Sequence, residues 1–148
     1  MTAQATNVPF AHGGSGVEAW HEVDASIHIY VGEPVCKNLA TGGIAKAANA
    51  ASMWFMGFAE NEYDNSAVAS LTTNRVLRVL SGIIREVAVT GAAITDEGKP
   101  LFLAADSGSF EVTNTAGTGT AGIITKFISA TLVEAYFPPF GYGLVVGS

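Results

Sequence analysis

Residues 53–59, MWFMGFA, open a train of short apolar runs that continues through RVLRVLSGIIREVAV (75–89) and ends in LVEAYF (132–137). The first run is short and rich in aromatic residues, which favours a buried strand over a helix. Glycine, Asp-Gly and Ser-Gly turns separate the later runs. Together they give about seven or eight short strands at roughly 8–12-residue spacing, which predicts a mainly β, small barrel-like or sandwich-like domain.

Turn sequences predict where the strands begin and end. Ser81-Gly82 lies between two apolar runs and predicts strands that meet at a tight turn or a bulge. The remaining turns predict strands at residues 101–104, 110–113, 121–128 and 132–137, the last two as a hairpin around Ser129-Ala130.

The two ends of the chain differ from this pattern. Residues 1–24 are rich in glycine and show no strong periodicity, which predicts an extended N-terminal arm, disordered or ordered by a neighbour. The β domain follows at 25–137, and 138–148 form a short C-terminal tail. Within the domain, 25–31 (ASIHIYV) alternate as a first strand, and the alanine-rich segment 41–52 predicts one or two helical turns.

The composition favours contact with other proteins. The 148 residues fit one domain, and 49% are hydrophobic while only 14% are charged. Ordinary soluble domains carry about 25% charged residues. Since large exposed apolar patches usually mark protein contacts, we expect an oligomer or a subunit of an assembly.

Charge and cysteine content restrict the partners. The net charge of -6 repels phosphate backbones, so we expect no nucleic acid partner, and the basic cluster Arg75, Arg78 and Arg85 lies in a strand-like region. The single cysteine, Cys36, allows no internal disulfide and is expected to be a small buried hydrophobe. The N-terminus does not resemble a signal peptide, and no run approaches the ~20 apolar residues of a membrane span, so we expect no membrane partner.

No motif supplies a convincing catalytic set. The glycines Gly117, Gly119 and Gly122 fit G-x-G-x-x-G but lead into a β-branched run rather than a helix. The segment 12–16 (HGGSG) resembles fragments of an esterase loop, but G-x-S-x-G fails because residue 17 is valine. We therefore expect no enzyme and no cofactor.

Two sets of polar residues invite a metal or acid–base interpretation. The spacings of His12, His21 and His28 match no zinc pattern. Alternation places Glu60, Glu62 and Asp64 on one face of a strand end, which suits a cation, a pair of acids or, preferably, a solvated strand end. We expect no metal.

The order of turns and strands resembles the small head decoration, or cement, proteins of tailed bacteriophages. The sharpest match is ITDEGKPLF (94–102), similar to the family's L-x-x-x-D-x-G-K-P-V-Y. Weaker matches are GEPV (32–35), GFAE (57–60) followed by DNS (64–66), Arg75-Val76 followed by Gly82-Ile83, Asp106, Gly122-Ile123-Ile124 and the closing strand at 132–137. The resemblance covers about residues 25–137, and the arm and the tail extend beyond the family's usual limits.

This resemblance implies a structural role on the outer surface of a virion. Family members commonly form trimers and clamp neighbouring major capsid proteins after the head expands. The expected partners are therefore the major capsid protein and a homotrimer of this chain, and the expected location is the outside of the capsid.

Two groups of residues are the candidates for protein contact. Trp20 and His21 lie near the end of the arm, where Trp20 either anchors the arm on a partner or caps the domain itself. The tail contributes the second group, Phe137, Pro138, Pro139, Phe140 and Tyr142. A carbohydrate-binding or host-surface-binding β domain is the alternative, with loop aromatics such as Tyr63, Phe110 and Tyr142 stacking on sugars.

Overall fold

The computed structural model describes residues 3–114 and 120–139. Twelve strands occur within these residues: β1 (Val17–His21), β2 (His28–Ile29), β3 (Pro34–Asn38), β4 (Ile44–Lys46), β5 (Met53–Ala59), β6 (Tyr63–Asp64), β7 (Leu77–Ser81), β8 (Ile83–Thr90), β9 (Pro100–Leu103), β10 (Phe110–Glu111), β11 (Thr120–Ser129) and β12 (Leu132–Phe137). One 3₁₀ turn, Ile94–Asp96, precedes β9. The prediction of a mainly β barrel or sandwich is confirmed.

The strands form one open sheet and one closed barrel. The open sheet has the order β1-β7-β5-β3-β4, with antiparallel neighbours. The barrel has the order β10-β8-β12-β11-β9, and its β10–β8 pair is parallel. β2 and β6 form a separate two-stranded sheet. The predicted hairpin of β11 and β12 is confirmed.

Two strands meet at Ser81-Gly82, as the sequence predicts, but they do not pair with each other. β7 pairs with β1 and β5, whereas β8 pairs with β12 and β10. Gly82 has a φ of 71°, which glycine adopts without the steric cost that a Cβ imposes. The short link therefore carries the chain from the open sheet into the barrel.

Four phenylalanines join the open sheet to the barrel. Phe55 and Phe58 come from β5, Phe110 comes from β10 and Phe137 from β12. Their ring centroids lie 4.8–6.2 Å apart, and all four are buried. Since burying one such side chain contributes roughly 1.5–3 kcal/mol, this cluster is a main source of stability. A second core lies under the open sheet and includes Ile29 and Leu77.

The prediction that residues 1–24 form an extended arm, disordered or ordered by a neighbour, needs correction in two places. Residues 17–21, assigned to the arm, form the edge strand β1, and each residue pairs with one of β7. The apolar partner strand lies sixty residues along the chain, so local periodicity did not reveal the pairing. Residues 3–13, here called the N-terminal strap, cross the surface of the same chain, where the Val8 amide donates to the Val31 carbonyl at 2.8 Å.

The segment 41–52 contains a strand rather than helical turns. Ile44–Lys46 pairs with β3, and Ile44 is fully buried. Gly43 precedes this strand at a tight position, where a Cβ would lie 2.3 Å from Leu71 Cδ1. Of the predicted strand 25–31, only His28–Ile29 is in a ladder.

Residues 3–114 and 120–139 contain no helix with the length and apolar character needed to span a bilayer.

Candidate protein interface

Trp20 projects from the edge strand β1 with half of its surface exposed (50%). Its cross-strand partner is Arg78, whose guanidinium carbon lies 5.7 Å from the centre of the ring. A cation over a tryptophan face gives a favourable electrostatic contact of about 0.5–1 kcal/mol at an exposed site. Trp20 is therefore held in place on the surface rather than inserted in a core.

Two carboxylates surround the same arginine. Arg78 Nε lies 3.2 Å from Glu18 Oε2, and Arg78 Nη2 lies 3.6 Å from Glu60 Oε2. Burial, followed by the hydrogen bond and negative charge of Glu18, raises the pKa of Glu60 to about 7. The charge beside Trp20 consequently changes near neutral pH.

His21, the second candidate on this strand, is partly buried. Burial, assisted by the positive charge of Lys37, lowers the pKa of His21 below its usual value. The neutral imidazole is therefore favoured, and the His21 carbonyl accepts a hydrogen bond from the Val76 amide at 3.0 Å.

The structure separates the tail candidates. Phe137 is fully buried, 4.8 Å from Phe58 between ring centroids, so its ring belongs to the core and not to a surface. This corrects the expectation of an exposed aromatic, and strand alternation is the reason, since Phe137 points inward from β12. Pro138 is buried and Pro139 half-buried. Phe140 and Tyr142 lie outside the described residues.

A continuous apolar row crosses the outside of the barrel. Ile84 on β8 lies opposite Tyr136 on β12, Tyr136 lies opposite Ile123 on β11, and Ile123 lies opposite Pro100 on β9. Ile84, Tyr136 and Ile123 are 37%, 37% and 39% exposed, and Pro100 is also exposed. Directly opposed residues on one face have Cβ atoms about 4.5–5.5 Å apart, so the four side chains form one strip.

The adjacent row on the same face is polar. Glu134 lies opposite both Glu86 and Lys126, and Thr125 Oγ1 donates to Glu134 Oε1 at 2.9 Å. An apolar centre beside a polar margin is the usual arrangement of a protein interface. We call Ile84, Tyr136, Ile123 and Pro100 the outer apolar row.

Sequence reasoning missed this row. Its residues come from four strands, and the order of those strands in the barrel is not the order along the chain. One signal was present, because Ile84 and Tyr136 each adjoin a core residue, Ile83 and Phe137, and alternation then places them outside.

The other polar residues singled out in the sequence form a different cluster. His28 contacts both Glu62, with Nε2 to Oε2 at 2.5 Å, and Asp64, with Nδ1 to Oδ2 at 3.7 Å. Hydrogen bonds from Asn7 and His28 lower the pKa of Glu62, and hydrogen bonds from Ser66 lower that of Asp64. No group of three or more potential metal ligands was found in the described part of the chain.

The aromatic candidates Phe110 and Tyr63 and the thiol of Cys36 are all buried or packed against a core. Phe110, one of the suggested sugar-stacking residues, lies in the core, and Tyr63 packs against the second core. Burial raises the pKa of the Cys36 thiol to about 12. Its expected role as a buried hydrophobe is confirmed, since such a thiol forms little thiolate at neutral pH.

No protein-family model matches the sequence, and no curated protein matches it either.

Proposed function

We propose that the chain is a capsid decoration protein that binds the outer surface of a mature tailed-phage head. The observation that carries the proposal is the outer apolar row, which leaves Ile84, Tyr136 and Ile123 in water on a rigid barrel face. Exposed apolar strips with polar margins suit protein contact. The sequence resemblance from 25 to 137 supplies the kind of partner.

The physical role would be stabilisation by selective binding. A protein that binds the expanded shell but not its precursor or dissociated subunits stabilises the shell by RT ln(1 + [L]/Kd) per site. Many copies clamp neighbouring major capsid proteins in this way without catalysis. Specific interfaces bury at least about 1,200 Å² in total, so the row must be the centre of a larger contact.

Self-association is the second part of the proposal. A homotrimer places three equivalent copies of Trp20 and of the row around one axis, and each copy then needs less affinity of its own because the three sites bind together. Trp20 anchors the edge of the contact, where its indole is already oriented by Arg78.

Co-sedimentation tests the proposal. The purified chain is mixed with empty expanded heads and with unexpanded heads carrying the cognate major capsid protein, and its native mass is measured in parallel. We expect saturable binding to expanded heads alone and the mass of a trimer. Equal binding to both forms, or to neither, would contradict the proposed function.

A further inference from the structure

A cleft lies between the N-terminal strap (3–13) and the barrel. The strap is fixed at one end by Gln4, whose amide donates to Ser107 Oγ at 3.2 Å, and at the other by Gly13, which pairs with Ile84. The cleft has a volume of about 420 Å³, and its apolar walls include Phe58 and Phe110. This volume lies within the range of roughly 300–1,000 Å³ typical of small-ligand sites.

Arg85 of β8 lines this cleft. Its guanidinium carbon lies 4.1 Å from the ring centre of Phe10, on the strap, and 4.4 Å from that of Phe58, on β5. Arg85 Nη1 donates to the Gly32 carbonyl at 2.8 Å. Two rings and one carbonyl thus orient the cation without supplying a negative charge.

One donor of the guanidinium has no acceptor among the described residues. Arg85 Nε is buried and has no hydrogen-bond acceptor, and none of the ion pairs found in residues 3–114 and 120–139 involves Arg85. Burial lowers the pKa of Arg85 to about 10, so the group stays charged at neutral pH. A buried cation without a counter-charge costs free energy, and an incoming anion would offset that cost.

The two acids adjacent in sequence to Gly32 and Arg85 form no ion pair with Arg85. Glu33, adjacent to Gly32, is fully buried, and it accepts hydrogen bonds from Lys46 Nζ at 2.9 and 3.0 Å, from the Tyr30 amide at 3.1 Å and from the Ser107 hydroxyl. Glu86 also lines the cleft, but its side chain is exposed to water and forms no ion pair with Arg85 in the described residues.

We propose that the cleft is a binding site for a small organic carboxylate with an apolar body, anchored by Arg85. The carboxylate accepts hydrogen bonds from the guanidinium, and charge-assisted bonds of this kind are about twice as strong as neutral ones. The apolar body packs on Phe58 and Phe110. The site is separate from the outer apolar row and from the proposed function.

Phenylacetate is the probe, and its neutral isostere phenylacetamide is the control. We expect phenylacetate to bind saturably in isothermal titration calorimetry and to raise the Tm, and we expect phenylacetamide to do neither. Arg85→Gln should weaken phenylacetate binding on the order of tenfold or more, because it removes the charge-assisted bonds. Arg75→Gln, which alters an arginine whose side chain is 74% exposed, should leave phenylacetate binding unchanged.

Two further measurements keep the test independent of the folding of Arg85→Gln. Glu86→Gln removes the negative charge at the cleft and should tighten phenylacetate binding by roughly two- to fivefold. In the wild-type protein, the NMR resonance of the Arg85 Nε–H should move on titration with phenylacetate and not with phenylacetamide. Equal binding of the acid and the amide, no binding of phenylacetate, or an unmoved Arg85 resonance would overturn the proposal. Equal binding of inorganic phosphate would also overturn it, because the cleft would then select charge alone.

Discussion

Tyr136 on β12 lies directly opposite Ile84 on β8, and both side chains point away from the barrel core. Their chain neighbours, Phe137 and Ile83, form the next opposed pair and are fully buried. One pair of strands thus contributes adjacent apolar pairs to opposite faces. Only the outer pair is free to contact another protein, and this separation makes the interface testable without disturbing the core.

Ile123→Thr should weaken binding to expanded heads. The substitution removes apolar surface from the centre of the outer apolar row, while threonine, which is also β-branched, keeps the strand preference of isoleucine. We expect a loss of at least about tenfold in head affinity and a change in unfolding free energy within about 0.5 kcal/mol. Co-sedimentation and urea unfolding measure the two effects.

Ile94→Thr is the matched control for this variant. Ile94 lies in the 3₁₀ turn before β9, and at 67% exposure it is more accessible than Ile123. Its substitution should leave head binding unchanged. If both variants lost the same head affinity, any exposed apolar side chain would contribute to binding, and the outer apolar row would not be the specific contact.

Trp20→Ala should reduce head occupancy more than stability. Half of its side chain is already exposed in the free protein, so the unfolding free energy should fall by about 1–2 kcal/mol, less than for a fully buried tryptophan. Anchor aromatics at interfaces contribute 2 kcal/mol or more, which corresponds to a loss of about thirtyfold in affinity. A drop in Tm without a change in head occupancy would assign Trp20 to the domain's own stability.

Phe137→Ala should destabilise the free protein by about 3–5 kcal/mol, because it leaves a cavity among the four phenylalanines. Chemical denaturation monitored by circular dichroism measures the effect. Tyr136→Ala, one residue earlier and on the outer face, provides the comparison and should cost far less in stability. Similar costs for the two variants would contradict the inward position of Phe137.

Glu60→Gln should stabilise the protein at alkaline pH. The folded protein raises the pKa of Glu60 from 4.5 to about 7, so the fold favours the protonated form. This contribution is fully present below pH 4.5 and is lost as the pH rises through about 7. We expect the variant to gain about 1 kcal/mol or less at pH 8, since water still reaches the carboxyl and screens it, and to match the wild type at pH 4.

Burial is the largest cause of the raised pKa of Glu60, and Glu18→Gln tests the additional contribution of Glu18. Removing the Glu18 charge should lower the pKa of Glu60 and reduce the pH-dependent difference between wild type and Glu60→Gln. Thermal unfolding between pH 4 and pH 8 gives both comparisons. A Glu60→Gln effect that is constant across this range would show that Glu60 titrates outside it.

Local patterns predicted the elements that depend on near neighbours. β5 was evident from its continuous apolar run, and the β11–β12 hairpin from two runs around a short turn. β1 was not, because its polar and exposed residues become a strand only through pairing with β7. The sequence also did not show whether the chain turns back after Gly82 or enters another sheet, because a positive φ fits both a hairpin and a passage between sheets.

The candidate interface was predictable to a similar degree. The sequence left open whether Trp20 anchors the arm on a partner or caps the domain itself, and the structure leaves half of the side chain exposed on the surface. The tail was treated as a single apolar group, whereas alternation in β12 divides Tyr136 from Phe137. The outer apolar row needs the barrel order, which depends on contacts between distant strands.

The phenylalanine cluster makes the folding of the open sheet depend on that of the barrel. The open sheet and the barrel each contribute two of the four rings. Neither can unfold without exposing the rings of the other to water. We therefore expect a single cooperative unfolding transition for the described chain. Under the proposed function, a mechanical load that an expanded head applies to the barrel would reach the edge strand of Trp20 through these rings, so the subunit would resist or unfold as one body.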